Sequence, residues 1–302
     1  MKKISLFWLP PAKDYLPSPA MTVLKQTLQK EGYDVQIIYW NILLEDIISK
    51  YFFNDNRPWK DEISVLGIFF SYIAITNNDK NALLKQELIL RTLKPQYASK
   101  TGFSYVNHIE ECVCELEARI KEILDKYSVA DSLFVGMSMN LFQWIPSFVI
   151  GNILKDKNPG TIITVGGIGN RKQAEAYIKS FNYIDIASWG EGEQFIKELA
   201  ICCSRNTKQY DIPQCFYKDN GNIIESSVSY KKYEPLDSLE YFDFSDFFTF
   251  YKKSKDAIML PIEGARGCHW NRCHFCFLNQ GYKYRRKTNS IIRKEIESNI
   301  RE

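Results

Sequence analysis

The sequence carries no large surplus of either charge, few histidines and no excess of glycine or proline. Its 39 Lys and Arg stand against 36 Asp and Glu, a net charge of +3, too balanced for a dedicated nucleic-acid binder. Residues 264–302 depart locally from that balance, with nine Lys and Arg against three Asp and Glu. Fifteen glycines and eleven prolines in 302 residues, with no internal repeat, exclude collagen-like, repeat and low-complexity architectures. A composition 45% hydrophobic and 25% charged excludes a disordered chain. The length suits one large domain or two of ordinary size.

Export and membrane signals are missing as well. The apolar residues 4–9 end at Pro10-Pro11, and Lys13 and Asp14 follow without a small-residue cleavage site. A buried first strand fits better than a signal peptide. Residues 132–154 run for 23 positions without a charge, which is long enough for a membrane span. Asn140, Gln143, Pro146 and Asn152 interrupt them, so strand, loop and buried helix fit better. Eight cysteines without an export signal do not suggest a disulfide framework. The expectation is a cytoplasmic protein whose thiols are free or hold a metal.

What is present is alternation. Short apolar runs and helical patterns follow one another through the first 200 residues, as in a parallel sheet wrapped by helices. Strands are predicted over 4–9, 35–39, 133–137, 161–165 and 184–187. Helices are predicted over 20–31, 107–127, 143–155, 174–180 and 193–203. The clearest is 107–127, where Ile109, Val113, Leu116, Ile120, Ile123 and Leu124 form one stripe. Residues 41–106 interrupt the rhythm with an apolar run at 65–75 and a helix near 82–93, and read as an insertion. Residues 206–255 read as a connector, with Asp219-Asn220-Gly221-Asn222 turning between two short strands. A new strand at 257–262 opens a second domain. The domain reading is therefore 1–205, a connector at 206–255, and 256–302.

The strongest chemical signal is Arg266-Gly267-Cys268-His269-Trp270-Asn271-Arg272-Cys273-His274-Phe275-Cys276. Three cysteines spaced C-x4-C-x2-C after a strand and a glycine can converge on one centre. Zinc would need a fourth ligand, which His269 or His274 could supply. An iron–sulfur cluster would take Cys268, Cys273 and Cys276 on three irons and leave one iron open.

Context favours the cluster. The segment resembles the radical S-adenosylmethionine (SAM) enzymes, whose signature is C-x3-C-x2-C on the loop after the first barrel strand. Phe275 stands where that family has an aromatic residue before its last cysteine. The first gap here holds four residues rather than three. Arg266, Gly267 and Trp270 fit the form R-G-C-x-W-x-x-C-x-F-C of the cobalamin-associated branch. The resemblance implies a [4Fe–4S] cluster whose open iron chelates SAM and whose electron cleaves it to a 5′-deoxyadenosyl radical. The chemistry belongs to the cofactor, and the protein supplies placement and water exclusion.

The first 200 residues resemble the cobalamin-binding domain of the same branch in four places. These are Pro10-Pro11 with Pro17-Ser18-Pro19 and Leu24, Gly136-Met137-Ser138-Met139-Asn140, Val165-Gly166-Gly167, and Gly190-Glu191-Gly192-Glu193. Three follow predicted strand ends and the first follows the opening strand, the crevice where open parallel sheets bind ligands. The resemblance assigns cofactor contacts to Ser18, Ser138, Met139, Asn140, Gly166, Gly167, Gly190, Glu191 and Phe275. One motif is missing: the D-x-H-x-x-G whose His replaces the cofactor's own base on cobalt. The three histidines are His108, His269 and His274, and none stands in that pattern. Cobalamin is expected to bind without a His lower ligand.

The expected architecture is a doubly wound, Rossmann-like cobalamin-binding domain followed by the first strand, loop and helix of a radical SAM (β/α) barrel. The resemblance implies methylation or another radical modification of a small molecule or peptide, such as a ribosomal peptide. It also implies an external electron donor such as flavodoxin or ferredoxin, with no nucleic-acid or membrane partner. The rival readings are a non-catalytic cobalamin- or nucleotide-binding module and a zinc-binding adaptor. Cys112 and Cys114 point different ways on a helix and form no metal pair. The basic run Lys283-Tyr284-Arg285-Arg286-Lys287 reads as a solvated face, close enough to the cysteines to meet an anionic substrate or reductant. A barrel continues for on the order of 150–200 residues beyond its cluster loop, whereas 26 follow Cys276. The chain is thus expected to hold one whole domain and the start of another, and to form no 5′-deoxyadenosine alone.

Overall fold

A computed structural model describes residues 2–52, 62–76, 103–140, 142–207, 210–228, 233, 235–239, 241–251, 258–270, 272–274, 276 and 283–301. Its centre is a seven-stranded sheet. In chain order the strands are β1 (Lys3–Trp8), β2 (Asp34–Tyr39), β3 (Ser132–Ser138), β4 (Ile163–Ile168), β5 (Ile186–Trp189), β6 (Cys215–Asp219) and β7 (Asn222–Glu225). Their order in space is β2-β1-β3-β4-β5-β6-β7. The first five are parallel, and β6 and β7 continue the sheet antiparallel. Order reverses beside β1, which makes the β1–β3 junction a topological switch point.

Alternation along the strands feeds two cores, one on each face. On one face Phe7, Ile38, Val135, Met137 and Val165 pack under α3 (Glu45–Phe52), α4 (Glu62–Thr76), α5 (Phe103–Lys126), α6 (Trp144–Lys157) and α7 (Arg171–Ser180); the short α2 (Trp40–Leu43) leads into α3. On the other, Ile4, Leu6, Ile37, Phe134 and Ile186 pack under α1 (Pro19–Lys30), α8 (Gly192–Ser204) and α9 (Ser245–Phe250). The stripe predicted on α5 is buried throughout.

Several expectations need correcting. In the described part of 41–106, read as an insertion that lengthens the domain, Leu66, Ile68 and Phe69 of α4 are buried in the first core. The helix predicted near 82–93 lies outside the described residues. Strand β5 starts two residues later than predicted, because Tyr183 and Ile184 are buried in the turn that enters it. The connector contributes β6 and β7 to the sheet. Asn220 and Gly221, both at positive φ, form the two-residue turn between them, as right-handed strand twist favours. The aromatic run after it supplies Phe242, Phe244 and Phe247 to the second core.

The strand expected at 257–262 is not formed by its described residues. A strand needs a neighbour for its backbone groups, and no described strand lies beside 258–262. The Met259 N–H donates instead to the Tyr15 carbonyl at 3.2 Å. The ladder comes later and is short: β8 (Ala265–Arg266) pairs antiparallel with β9 (Arg285–Arg286), and α10 (Asn289–Arg301) follows.

Candidate functional site

A cleft of about 980 Å³ opens over the sheet face under α1 and α8, at the C-terminal ends of the parallel strands. Its floor is made of small side chains. Gly136 is opposite Thr164 and Ser138 opposite Gly166 in the β3–β4 register, and period-two alternation turns all four to the same face. Ser188 of β5 and Leu6 of β1 flank them. The result is a trough, since larger residues at these positions would fill the space between sheet and helices. At Gly166 a Cβ would lie 3.3 Å from Ser188 Oγ. Gly167 has φ +71°, and a Cβ there would lie 3.0 Å from Asn140 Nδ2 and 3.2 Å from Ser138 Oγ. The C-terminal end of β4, where its register with β5 shifts, therefore needs glycine at 167 both for its backbone and for its close approach to Ser138 and Asn140.

The walls are apolar and come from the two helices: Leu24 of α1, and Phe195 and Ile196 of α8. Within the trough the Thr164 hydroxyl is buried with no hydrogen-bond partner among the described residues. A buried hydroxyl without a partner is costly, and Thr164 is one of the residues that line this cleft.

The structure brings most of the sequence-predicted cofactor residues together. Ser138, Met139, Asn140, Gly166, Gly167, Gly190 and Glu191 all line this one cleft. Ser18 does not. It is fully buried and caps α1, its Oγ accepting the Met21 N–H at 3.2 Å, while Pro19 and Ala20 line the cleft instead. Phe275 lies outside the described residues. Thr164 and Ser188 were not predicted. The signal for Thr164 was its place two residues before Gly166 on the same face.

The cleft mouth is electrostatically tied to the segment that leads into the cysteines. Glu191 precedes α8, and its carboxylate accepts from Arg266 at 3.0 Å and from Arg285. Arg266 also pairs with Glu193 and with Glu263, each at 2.7 Å. Burial pushes the Glu191 carboxyl above the usual carboxylate range, and the two guanidiniums oppose that shift. Residues 261–267 carry this contact along the cleft's edge.

Cys268, Cys273 and Cys276 are half-buried, and none is in a disulfide. The Cys276 N–H donates to the Cys273 carbonyl at 3.3 Å, turning the chain between them. Among the described residues no three His, Cys, Asp or Glu side chains are gathered closely enough to hold a metal ion. His269 and His274 are exposed. Cys112 is buried and Cys114 exposed on the same helix, as their spacing requires. No described helix is long and apolar enough to cross a membrane.

No protein-family model matches the sequence, and no curated protein matches it. Solved structures do. The cobalamin-dependent S-adenosylmethionine radical enzyme OxsB, with aqua-cobalamin and S-adenosylmethionine bound, superposes with a TM-score of 0.57 at 15% identity over 98% of this chain and 31% of OxsB. The radical S-adenosylmethionine methyltransferase TsrM from Kitasatospora setae, with cobalamin and a [4Fe-4S] cluster bound, gives 0.51 at 15% identity over 99% of this chain and 46% of TsrM. The chain thus spans about a third of one relative and under half of the other. Over the portion it spans, this chain has the fold of the cobalamin-dependent radical SAM enzymes.

Proposed function

We propose that the chain is the cofactor-binding part of a cobalamin-dependent radical SAM protein. The carrying observation is adjacency: a trough of small residues at the strand ends shares its mouth, through Glu191, with the base of a three-cysteine loop. The trough suits the nucleotide tail of a corrinoid. Gly166 and Gly167 let backbone approach a flat group, and the Thr164 hydroxyl offers it a hydrogen bond. Ser138 and Ser188 add further hydroxyls, while Leu24, Phe195 and Ile196 keep water out. Among the described residues no histidine lines the cleft, so a corrinoid held there would receive no imidazole from them.

For the cluster, the fit rests on the donor set: three half-buried thiols within nine residues, none of them in a disulfide. Cys268, Cys273 and Cys276 would hold three irons. When bound, the reduced cluster supplies the electron for SAM cleavage and cobalamin supplies a transferable methyl group. The chain's own part is to hold the cysteine loop at the cleft mouth and to exclude water behind it. The whole protein's reaction is then methylation or another radical modification of a small molecule or peptide, fed by an external electron donor.

The test is anaerobic reconstitution with iron and sulfide, followed by hydroxocobalamin and desalting. A brown protein with about four irons and four sulfides per chain, the stoichiometry of a [4Fe–4S] centre, and a retained red chromophore are expected. A colourless chain carrying one zinc would replace this reading with that of a zinc-stabilised adaptor. Iron without retained corrinoid would leave radical SAM chemistry but remove cobalamin from it.

A further inference from the structure

Arg266 and Arg285 are register partners in the two-residue ladder of β8 and β9. Like charges directly opposite one another on adjacent strands repel. Both guanidiniums nevertheless turn to the same carboxylate, that of Glu191, whose side chain is only 13% exposed. The ladder closes the neck of the segment 267–284, which carries all three loop cysteines. The Lys287 N–H donates to the Gly264 carbonyl at 2.9 Å and continues the closure. Glu191 belongs to the sheet domain and reaches this neck across 75 and 94 positions of sequence.

Each arginine has contacts besides Glu191. Arg266 keeps Glu193 and Glu263 besides Glu191. Arg285 meets Glu191 and lies over the Tyr233 ring at 4.9 Å. Gly264, Ala265, Arg266 and Gly267 of the neck also line the cleft, as do Glu191 and Glu193. An occupant of the cleft therefore touches the same wall that fixes the neck.

We infer that Glu191 is a positioning residue that holds the neck of the cysteine loop shut at the cleft mouth, so that filling the cleft and loading the loop favour one another. The holding of the neck stands on the ion pairs alone, whereas the coupling rests on the function proposed above. Thermodynamic linkage makes the coupling reciprocal. Neutralising Glu191 leaves two opposed guanidiniums without their shared anion, and the neck loosens. Removing Arg285 as well relieves the repulsion, so the double variant is less affected than Glu191→Gln alone.

The experiment is pulsed alkylation of the cofactor-free, reduced chain with iodoacetamide, read residue by residue by mass spectrometry. In Glu191→Gln, Cys268, Cys273 and Cys276 are expected to label about 3- to 10-fold faster, the effect of weakening a restraint by roughly 1 kcal/mol. In Glu191→Gln/Arg285→Gln the rate returns toward wild type. The buried Cys112, Cys203 and Cys215 report whether the fold survives. Unchanged loop labelling with those three still protected overturns the inference. Should Glu191→Gln expose them too, Arg285→Gln alone gives the decision: faster loop labelling supports the neck restraint, and an unchanged rate overturns it.

A second arm reads the coupling by titrating hydroxocobalamin into the wild-type chain with and without prior iron–sulfide reconstitution. Corrinoid affinity is expected to rise several-fold on loading, with no rise in Glu191→Gln. Equal affinities in a wild-type chain that binds both cofactors overturn the coupling. A wild-type chain that retains neither cofactor overturns the proposed function instead, and the alkylation result stands or falls without it.

Discussion

Lys287 Nζ lies 2.8 Å from Glu295 Oε2, and both side chains are wholly buried. The ammonium also stands 4.8 Å from the centre of the Phe242 ring. The basic run read from sequence as a solvated face is therefore divided. Lys283, Tyr284 and Arg286 are exposed, Arg285 turns to Glu191, and Lys287 is interior. A buried charge survives only when it is paired, and α10 is what brings the partner.

From this pair comes an asymmetric expectation. Lys287→Met strands the Glu295 carboxylate in the interior and is expected to cost about 3–5 kcal/mol. Lys287→Met/Glu295→Leu removes both charges and is expected to be neutral or mildly stabilising. Urea unfolding measures the difference, with hydrogen exchange of α10 localising it. A harmless single variant would mean that the pair is not held out of water.

Gly151 in the interior of α6 gives a second expectation. A Cβ there would overlap Cδ2 of Tyr183. That ring has nowhere to go: its hydroxyl lies 2.8 Å from Ser147 Oγ, and Phe148 and Phe181 pack around it. Alanine ordinarily gains up to about 1 kcal/mol over glycine in a helix, but overpacking costs about 1–3 kcal/mol. Gly151→Ala is thus expected to lower the unfolding free energy. Adding Tyr183→Leu to it should cost less than Tyr183→Leu costs in the wild type, because the smaller side chain makes room.

The sheet and its C-terminal edge were legible because parallel strands buried on both faces write themselves as short apolar runs between helical patterns. Gly166-Gly167 and Ser138 could be placed at strand ends from the apolar runs that precede them. Contacts between distant segments could not. Nothing in the sequence near Glu191 names Arg266 or Arg285, and nothing in Lys287 says that Glu295, one helix later, will bury it. The 257–262 run is apolar enough for a strand, yet strand formation depends on a neighbour that local sequence does not contain. Ser18 shows a related limit: serine before proline and a helix serves equally as a cap, and in the structure its hydroxyl caps α1.

Burial of two thiols, Cys203 in α8 and Cys215 in β6, makes the protein sensitive to alkali. Desolvation raises the Cys203 and Cys215 thiols to about 12 each, against about 8.5 in an unfolded chain. Between those values the folded state binds more protons than the unfolded one, so stability falls as pH rises through the window and is fully present below it. Unfolding free energy is expected to be insensitive to these thiols from pH 6 to 8 and to decline above about pH 9. The slope should be shallower in Cys203→Ser/Cys215→Ser. An unaltered slope in that variant would assign the alkaline loss to other groups.

The trough itself yields a pair of substitutions with opposite effects on stability and binding. Thr164→Val replaces a buried hydroxyl that has no partner among the described residues by a methyl of similar size. The empty chain should be as stable or more so, since an unsatisfied polar atom is removed. If the hydroxyl meets the corrinoid tail, hydroxocobalamin affinity falls about 5- to 10-fold, the value of one hydrogen bond. Gly166→Val acts by volume instead. Its Cβ would stand 3.3 Å from Ser188 Oγ, and two further methyls project into the floor of the cleft. Valine suits a strand, so the fold should persist while corrinoid retention after desalting is lost. Wild-type retention by folded Gly166→Val would place the ligand elsewhere. Unchanged affinity in Thr164→Val together with loss in Gly166→Val would leave the trough as the site but remove Thr164 from its contacts.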